Sequence, residues 1–169
     1  VGEVAVPDPR LETLAAIAGS KQIIPTRITF VDIAGLVKGA SKGEGLGNQF
    51  LANIREVDAI AHVLRCFEDG DITHVEGRVD PVADAETIET ELMIADLESI
   101  ERRRANLARK LKGGDKEAAA QDRLLMAAQV ALEAGQPART VTIAEDDRKA
   151  WDMLQLLTAK PVLYVCNVE

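Results

Sequence analysis

The sequence predicts an α/β fold in which short β-strands alternate with helices and one long helical segment interrupts the alternation. Three observations support this prediction. Apolar runs rich in β-branched residues recur along the chain, segments with helical spacing lie between them, and residues 84–134 contain no proline and only one adjacent pair of glycines. Of the 169 residues, 47% are apolar but only 3% are aromatic, so the core must consist mainly of Ile, Leu, Val and Ala.

The charge and cysteine content exclude several classes of protein. The net charge of −8 argues against a chain that coats nucleic acid over its whole surface, although it permits a local basic patch. No apolar run approaches the roughly 18 residues of a membrane span, and no signal peptide opens the chain. Two cysteines cannot form a disulfide framework. We therefore expect a cytoplasmic protein with no membrane or DNA partner, and we expect a chain that starts at Val1 without Met to be part of a longer protein.

Strands and helices are predicted in order on both sides of the long helical segment. The elements before it are a strand over Val1–Val6, a helix over Arg10–Ala18, a strand over Thr26–Ile33, a helix over Asn48–Glu56 and a strand over Ala59–Phe67. After it, a helix is predicted over Glu145–Leu157, with Trp151 on its packing face, and a strand over Pro161–Cys166. The near-continuous apolar runs of the last two strands are typical of a parallel sheet that is buried on both faces.

The segment 84–134 has the pattern of two helices that pack against each other. Its first half carries a heptad seam with 4-3-7-4 spacing, interrupted by Arg104, at Met93, Leu97, Ile100, Leu107 and Leu111. Its second half resumes a 4-3-4 spacing at Ala120, Leu124, Ala127 and Ala131. Because Gly113-Gly114-Asp115 separates the halves, we predict an antiparallel coiled-coil hairpin inserted into the α/β domain. Plain helical packing within the main domain is the alternative, and the predicted division of the chain is 1–83, 84–134 and 135–169.

Charges are segregated along the first helix of this segment. Seven acidic and no basic residues lie between Asp84 and Glu101, and six basic and no acidic residues lie between Arg102 and Lys112. One explanation is that these charges complement the helix macrodipole. The other is that the tip of the hairpin binds phosphate groups of an RNA backbone. The residues that would make this contact are Arg109, Lys110, Lys112 and Lys116.

The densest candidate for chemistry is the strand end at residues 30–35. There an apolar strand leads into Asp32, and Gly35 follows. In phosphate-transfer sites an Asp at this place holds Mg²⁺, usually through water, and the Gly amide reaches the γ-phosphate. Five glycines fill the following loop, at Gly35, Gly39, Gly43, Gly45 and Gly47. Since each glycine loses conformational entropy on folding, this density indicates a loop that moves or lets the backbone approach a ligand.

The run Gly35–Asn48 resembles the switch region of the Obg-like ATPases, the YchF family of P-loop NTPases. The resemblance continues through Phe50–Glu56, Asp58–Phe67, Thr73–Pro81, Lys112–Lys116 and Leu156–Pro161. It implies a Ras-like P-loop NTPase domain, with a mostly parallel sheet flanked by helices, into which the coiled-coil hairpin is inserted. In the family a phosphate-binding loop precedes the position of Val1. The sequence contains no Gly-x-x-x-x-Gly-Lys-Ser/Thr, so we expect the 169 residues alone to be inactive.

The resemblance also implies the residues of a nucleotide site. Asp32, Gly35 and Leu36 would be catalytic, with Asp32 holding Mg²⁺ through water. Leu36 replaces the Gln that orients the attacking water in Ras-type enzymes, so backbone groups, another side chain or a monovalent cation such as K⁺ would have to position that water. The remaining residues of the implied switch loop are Lys38, Gly39, Ser41, Lys42, Gly43, Gly45 and Gly47. Its two lysines either contact phosphate or simply solvate a mobile loop.

The last predicted strand leads into a candidate base-recognition motif, Asn167-Val168-Glu169. GTPases read guanine with Asn-Lys-x-Asp; here the Asn is retained, Val168 replaces the Lys, and the fourth position lies beyond Glu169. The family has Asn-x-x-Glu, and the resemblance implies that adenine is accepted. It implies a ribosome-associated switch protein that binds and hydrolyses ATP, accepts GTP as well, and contacts ribosomal RNA. The alternative is a non-catalytic module that binds RNA or protein through the basic hairpin tip.

Three further side chains on the predicted strands have structural explanations. His62 lies within an apolar strand and is predicted to be a core histidine with its hydrogen bonds satisfied. Cys66 and Cys166 fall near strand ends and are predicted to be buried thiols that act as small hydrophobic side chains.

Overall fold

The computed structural model describes residues 1–33, 46–68 and 79–168, with the backbone alone for 46–49. The chain divides into two compact units, Val1–Ala34 and Gly35–Glu169. In order, the elements are β1 (Gly2–Ala5), α1 (Arg10–Ala18), β2 (Arg27–Phe30), α2 (Leu46–Glu56), β3 (Ile60–Arg65), α3 (Pro81–Lys112), α4 (Lys116–Glu133), α5 (Arg148–Asp152) and β4 (Val162–Asn167). Short 3-10 turns lie at Ala138–Thr140, Glu145–Asp147 and Leu157–Ala159.

The first unit is a β-hairpin whose connection contains one helix. Strands β1 and β2 pair antiparallel, from Gly2 opposite Phe30 to Ala5 opposite Arg27. Between them α1 has the bounds that its sequence predicts. It ends where Gly19 takes a left-handed φ of 61° and donates its amide to the helix. A residue without Cβ adopts this conformation without strain, which explains why the helix stops there.

The second unit contains a parallel strand pair. β3 and β4 run parallel, from Ile60 opposite Val162 to Arg65 opposite Asn167. The prediction that these strands are buried on both faces is wrong for this chain, since Leu64 is buried but Leu163 remains 66% exposed. Among the described residues the pair is flanked chiefly by α3, which packs against β3. The described residues thus form one parallel strand pair, β3 with β4, and one antiparallel pair, β1 with β2.

Two long helices follow β3, and each begins at a capping aspartate. The Asp80 carboxylate accepts a hydrogen bond from the Ala83 amide at 3.1 Å, and Pro81 opens α3, three residues before the predicted start. The Asp115 carboxylate caps α4 by accepting from two amides at 3.0 and 3.1 Å. Gly114, with a φ of 74°, turns the chain between the helices. None of the described helices is long and apolar enough to cross a membrane.

The two helices pack on each other, but with a different register of α4 from the predicted one. Ile100 and Leu124 are buried as expected, whereas Ala120 is exposed. The row that α4 buries instead contains Leu125 and Leu132. The predicted and observed rows lie side by side on the helix, and the row with the larger leucines is buried because it removes more apolar surface from water.

The middle of α3 and the second half of α4 share one hydrophobic core with the segment that follows α4. The buried members of this core are Ile100, Leu124, Leu125, Ala128, Leu132, Ala138, Trp151, Leu154 and Leu156. Trp151 is only 4% exposed, which confirms that it is a packing residue. The sequence left open whether the two helices pack within the main domain. They do so where both helices contribute to this core, at the end of the hairpin opposite Gly113-Gly114.

The predicted helix over Glu145–Leu157 is only partly formed. A 3-10 turn precedes α5, the helix ends at Asp152, and Gln155 adopts a positive φ of 49°. Leu154, Leu156 and Leu157 are all at most 2% exposed. Three leucines so close in sequence cannot share one face of a regular helix, so the chain leaves the helical path to bury them.

Candidate functional site

The carboxyl ends of the parallel strands β3 and β4 lie side by side. The Cys66 amide donates to the Asn167 carbonyl at 2.8 Å, which extends the pairing to the last residue of β4. Both Asn167 and Val168 are exposed there, and Glu169 lies outside the described residues. In α/β folds, ligands bind at the carboxyl ends of parallel strands. Of the candidate base-recognition residues, Asn167 and Val168 therefore lie at this edge of the sheet.

An arginine that the sequence analysis did not single out lies at the same edge of the sheet. Arg65 lies opposite Asn167 in the register. Its Nε donates to the Phe67 carbonyl at 3.1 Å, and its guanidinium lies 4.9 Å from the centre of the Phe67 ring. This cation–π contact and the hydrogen bond together fix how the chain leaves β3.

The two cysteines also lie at these strand ends, where they are less buried than predicted. Cys66 is half-buried and Cys166 is exposed, and both are free thiols. The prediction of buried thiols is therefore wrong, because the described residues leave most of β4 uncovered. Partial burial raises the pKa of the Cys66 thiol, and the neighbouring Cys166 raises it further.

Asp32 lies in the first unit, two residues beyond the end of β2, and its side chain is exposed. It makes no ion pair with another residue of the described ranges. The described residues contain no group of three or more metal-ligating side chains. Mg²⁺ keeps several waters and needs only one or two protein carboxylates when phosphates supply further ligands. A single open carboxylate therefore fits a water-mediated Mg²⁺ contact.

Most of the predicted switch loop lies outside the described residues. This applies to Gly35, Leu36, Lys38, Gly39, Ser41, Lys42, Gly43 and Gly45. Gly47 is described in its backbone, and it lies in the first turn of α2 because that helix begins at Leu46, two residues before the predicted start.

The basic tip of the hairpin is exposed. It consists of Arg109, Lys110 and Lys112 at the end of α3 and Lys116 at the start of α4. None of these four side chains forms an ion pair with another described residue. Arg104, by contrast, donates to Asp122 at 2.8 Å and to Gln129 at 2.7 Å and so joins the two helices. The cations of the tip are thus available to an outside partner, whereas this arginine is used within the hairpin.

A buried carboxylate that the sequence analysis missed connects α3 to the turn before β4. Asp96 is 1% exposed. Its Oδ1 accepts from the Leu157 amide at 2.8 Å, and its Oδ2 accepts from the amide and the hydroxyl of Thr158 at 2.9 and 2.7 Å. Burial raises the pKa of Asp96, and the hydrogen bonds from Thr158 and Leu157 oppose that increase. The feature of the sequence that could have revealed this role is an acidic residue on the apolar side of α3, next to Leu97 and near Ile100.

The same turn contacts the end of α2 through Lys160. Its Nζ donates to the carbonyl of Arg55 at 3.2 Å and to the carbonyl of Val57 at 2.5 Å. These carbonyls lie at the C-terminus of α2, where the last carbonyls of a helix lack partners within the helix and a cation is favourable. Lys160 therefore acts as a C-terminal cap from outside the helix.

A second polar group connects α3 with β4 and the turn at residues 138–140. Glu89 forms an ion pair with Arg139 and accepts from the Tyr164 hydroxyl at 3.4 Å. The His62 ring lies 5.8 Å from the Tyr164 ring. Burial lowers the pKa of this half-buried histidine, while the charges of Glu89 and Asp84 act in the opposite direction. The prediction of a core histidine is therefore wrong in its burial, since His62 is half-buried, and the contact that the described residues give its ring is with Tyr164.

The matching family model and the known proteins with similar sequences are all described as ribosome-binding. A family model described as 50S ribosome-binding GTPase matches residues 4–95. The chain is 51% identical over 169 residues to a ribosome-binding ATPase YchF of Bacillus subtilis and 52% identical over 168 residues to that of Haemophilus influenzae. It covers 46% of each of these proteins, and they cover 100% and 99% of this chain. The chain therefore spans about half the length of the curated relatives it matches.

A solved structure agrees with these sequence matches. The YchF GTPase of Schizosaccharomyces pombe superposes with a TM-score of 0.75 and is 41% identical in sequence. The match covers 98% of this chain and 45% of that one. At this identity the likeness supports a common Ras-like α/β fold.

Proposed function

The chain belongs to the YchF family of P-loop NTPases, and on that basis we propose that it functions in a ribosome-associated protein that binds and hydrolyses ATP and also accepts GTP. The observation that supports this proposal best is the position of Asn167. It ends β4 beside the end of β3, at the sheet edge where α/β folds bind ligands. There its amide can hydrogen-bond a purine ring and Val168 can line the base pocket, and Glu169 follows as the third position of the motif.

The proposed phosphate-binding role in the first unit belongs to Asp32. Its carboxylate would hold Mg²⁺ through water, and the ion would supply positive charge at the β- and γ-phosphates. The Gly35 amide donates to the γ-phosphate, and the loop from Leu36 to Gly47 responds to it. Because Leu36 cannot orient water, a backbone group, another side chain or a monovalent cation such as K⁺ fulfils that role. The exposed carboxylate of Asp32, which forms no ion pair within the described ranges, is consistent with this assignment.

The proposed partner is the ribosome, contacted through ribosomal RNA at the hairpin tip. Four exposed cations within eight residues, unpaired with any other residue that the structure describes, are suited to a phosphate backbone. The relatives are named as ribosome-binding, which supports the same partner and a cytoplasmic location. We retain the division into an NTPase part over 1–83, a coiled-coil insertion over 84–134 and a return to the NTPase part over 135–169.

One experiment separates this function from its alternative, a non-catalytic module that binds RNA or protein through the tip. ATP hydrolysis by the full-length protein is measured with and without ribosomes, for wild type and for Asp32→Asn. We expect turnover that requires Mg²⁺ in the wild type and a large loss in the variant, with ribosome co-sedimentation retained. Ribosome binding without any turnover in the wild type would favour the non-catalytic module.

A further inference from the structure

We propose that the turn Leu157–Ala159, together with Lys160, is a joint that makes α2 and the α3–α4 hairpin move together. Asp96 and Lys160 are its two positioning residues. This inference rests on the proposed function, because α2 directly follows the implied switch loop and the hairpin carries the basic tip. A nucleotide-dependent switch needs a physical connection between its phosphate-sensing loop and its partner-binding element. The described residues form one through two polar attachments on a single short turn.

The attachment to the hairpin is the Asp96 carboxylate. It accepts from both the amide and the hydroxyl of Thr158 and from the amide of Leu157. Two of these donors are consecutive backbone amides, so the carboxylate fixes the path of the main chain and not only one side chain. Hydrogen bonds to a charged group are about twice as strong as those between neutral groups. A displacement of the turn is therefore opposed unless α3 follows.

The attachment to α2 is the Lys160 ammonium group. Its Nζ donates to the carbonyls of Arg55 and Val57, at the end of α2 where backbone carbonyls have no partner within the helix. Arg55 lies in the last turn of α2 and Val57 directly follows its last residue, Glu56, so both carbonyls are backbone groups at the end of the helix and move with it. A rotation or a translation of α2 thus either breaks both contacts or carries Lys160 with it.

The turn Leu157–Ala159 carries the contacts with Asp96 and directly precedes Lys160. It is too tightly packed to change its conformation when α2 or α3 shifts. Leu157 and Thr158 are 0% and 1% exposed. The Ala138 amide donates to the Thr158 hydroxyl at 3.1 Å, which supports the turn from a third direction. Packed interiors transmit small shifts because they have few voids into which side chains can move. The connection is therefore short and stiff.

The consequences of a shift extend in two directions from the turn. Along α3, the end of the helix at Lys112 lies about 24 Å beyond Asp96, at 1.5 Å per residue. A small rotation at Asp96 would thus displace the basic tip by a larger distance. Along the chain, the Ile60 amide donates to the Pro161 carbonyl at 2.9 Å, where the pairing of β3 with β4 begins. The same turn therefore also positions the strand that ends at Asn167.

The test measures hydrogen–deuterium exchange of the full-length protein with and without Mg²⁺ and a non-hydrolysable ATP analogue. In the wild type we expect the analogue to change exchange in peptides from both α2 and the hairpin. In Asp96→Asn and in Lys160→Met the change in α2 persists, whereas the change in the hairpin falls by about threefold or more because one attachment is lost. Matched controls are Asp122→Asn, a half-buried acid within the hairpin, and exposed Lys149→Met in α5. Both controls retain the wild-type response.

Three other outcomes of this test would contradict the proposed joint. A hairpin response in both variants equal to that of the wild type overturns it. A wild type that binds the analogue without any hairpin response also overturns it, but leaves the proposed nucleotide function intact. A wild type that binds no nucleotide overturns the proposed function, and the joint with it. If Asp96→Asn does not fold, Lys160→Met decides, since its head group contacts a helix end and not the core.

Discussion

Replacing Asp96 with alanine should destabilise the chain more than almost any other single polar substitution in it. The carboxylate accepts three hydrogen bonds of 2.7 to 2.9 Å and is 1% exposed. Alanine removes all three and leaves two backbone amides buried without an acceptor. The hydroxyl of Thr158 can rotate towards another partner, but the amides of Leu157 and Thr158 cannot. No water can reach them unless the turn opens.

The expected loss of unfolding free energy is about 3–5 kcal/mol. Hydrogen bonds to a charged group contribute roughly 1.5–3 kcal/mol each, and each unsatisfied buried donor costs about 1–3 kcal/mol. These values are not additive, because removing the carboxylate also removes the cost of desolvating it. Asparagine keeps one acceptor oxygen, so Asp96→Asn should cost less, about 1–3 kcal/mol.

Urea unfolding followed by tryptophan fluorescence is the assay. Trp151 is the only tryptophan of the chain and is buried in the core next to Leu154 and Leu156, so its emission reports on this region. The control is Asp122→Ala, which removes a partly exposed ion pair with Arg104 and should cost about 0.5–1 kcal/mol. A loss below about 1 kcal/mol for Asp96→Ala would refute the view that this carboxylate secures the turn.

Four further outcomes are expected. Burial raises the pKa of Asp96 above its ordinary value of 3.8, so the folded chain binds this proton more tightly than the unfolded chain. The stability of the wild type relative to Asp96→Asn should therefore be greatest at low pH and decrease as the pH rises through the raised pKa, which urea titrations at several pH values would measure. The 169-residue chain, which contains no phosphate-binding loop, should bind ATP with Mg²⁺ only weakly, and a micromolar dissociation constant in calorimetry would contradict this. The full-length protein should not strongly prefer GTP, because the chain does not carry the guanine-reading motif Asn-Lys-x-Asp, and a hundredfold preference for GTP in competition binding would speak against the assignment. Changing Lys110, Lys112 and Lys116 to Glu should weaken ribosome co-sedimentation and reduce its salt dependence by about one unit of slope per lost contact, with unchanged basal turnover. Co-sedimentation equal to wild type at every salt concentration would exclude the tip.

Local signals in the sequence located most elements, although the bounds of most of them shifted. The helix Arg10–Ala18 has the predicted bounds because Gly19 provides a left-handed terminator. The start of α3 was predicted three residues late, because Pro81 reads as a loop residue although proline suits the first turn of a helix. The helix predicted through Leu157 failed for a different reason. Its leucines are buried by a chain that leaves the helical path, and local propensity contains no information about that core.

The candidate site was predictable only where it depends on strand ends. Asn167 could be located because an apolar run ends there, and parallel strands present their carboxyl ends on one edge. Asp96 could not be assigned a role, since its partners lie 61 and 62 residues further along the chain. Lys160 contacts residues more than 100 positions earlier. Such contacts arise from packing, and spacing within one element gives no indication of them.

The structure limits how much of the charge segregation on α3 the helix macrodipole can explain. Macrodipole effects act within the first and last turns of a helix, so they can account for Arg109, Lys110 and Lys112 but not for Arg104, more than one turn further in. Arg104 instead interrupts the apolar seam and bonds to both Asp122 and Gln129 of α4. A polar residue in a seam fixes the register of paired helices at some cost in stability. The basic half of α3 therefore contains one cation that sets the register of the hairpin, and its exposed end contains cations that a phosphate backbone can bind.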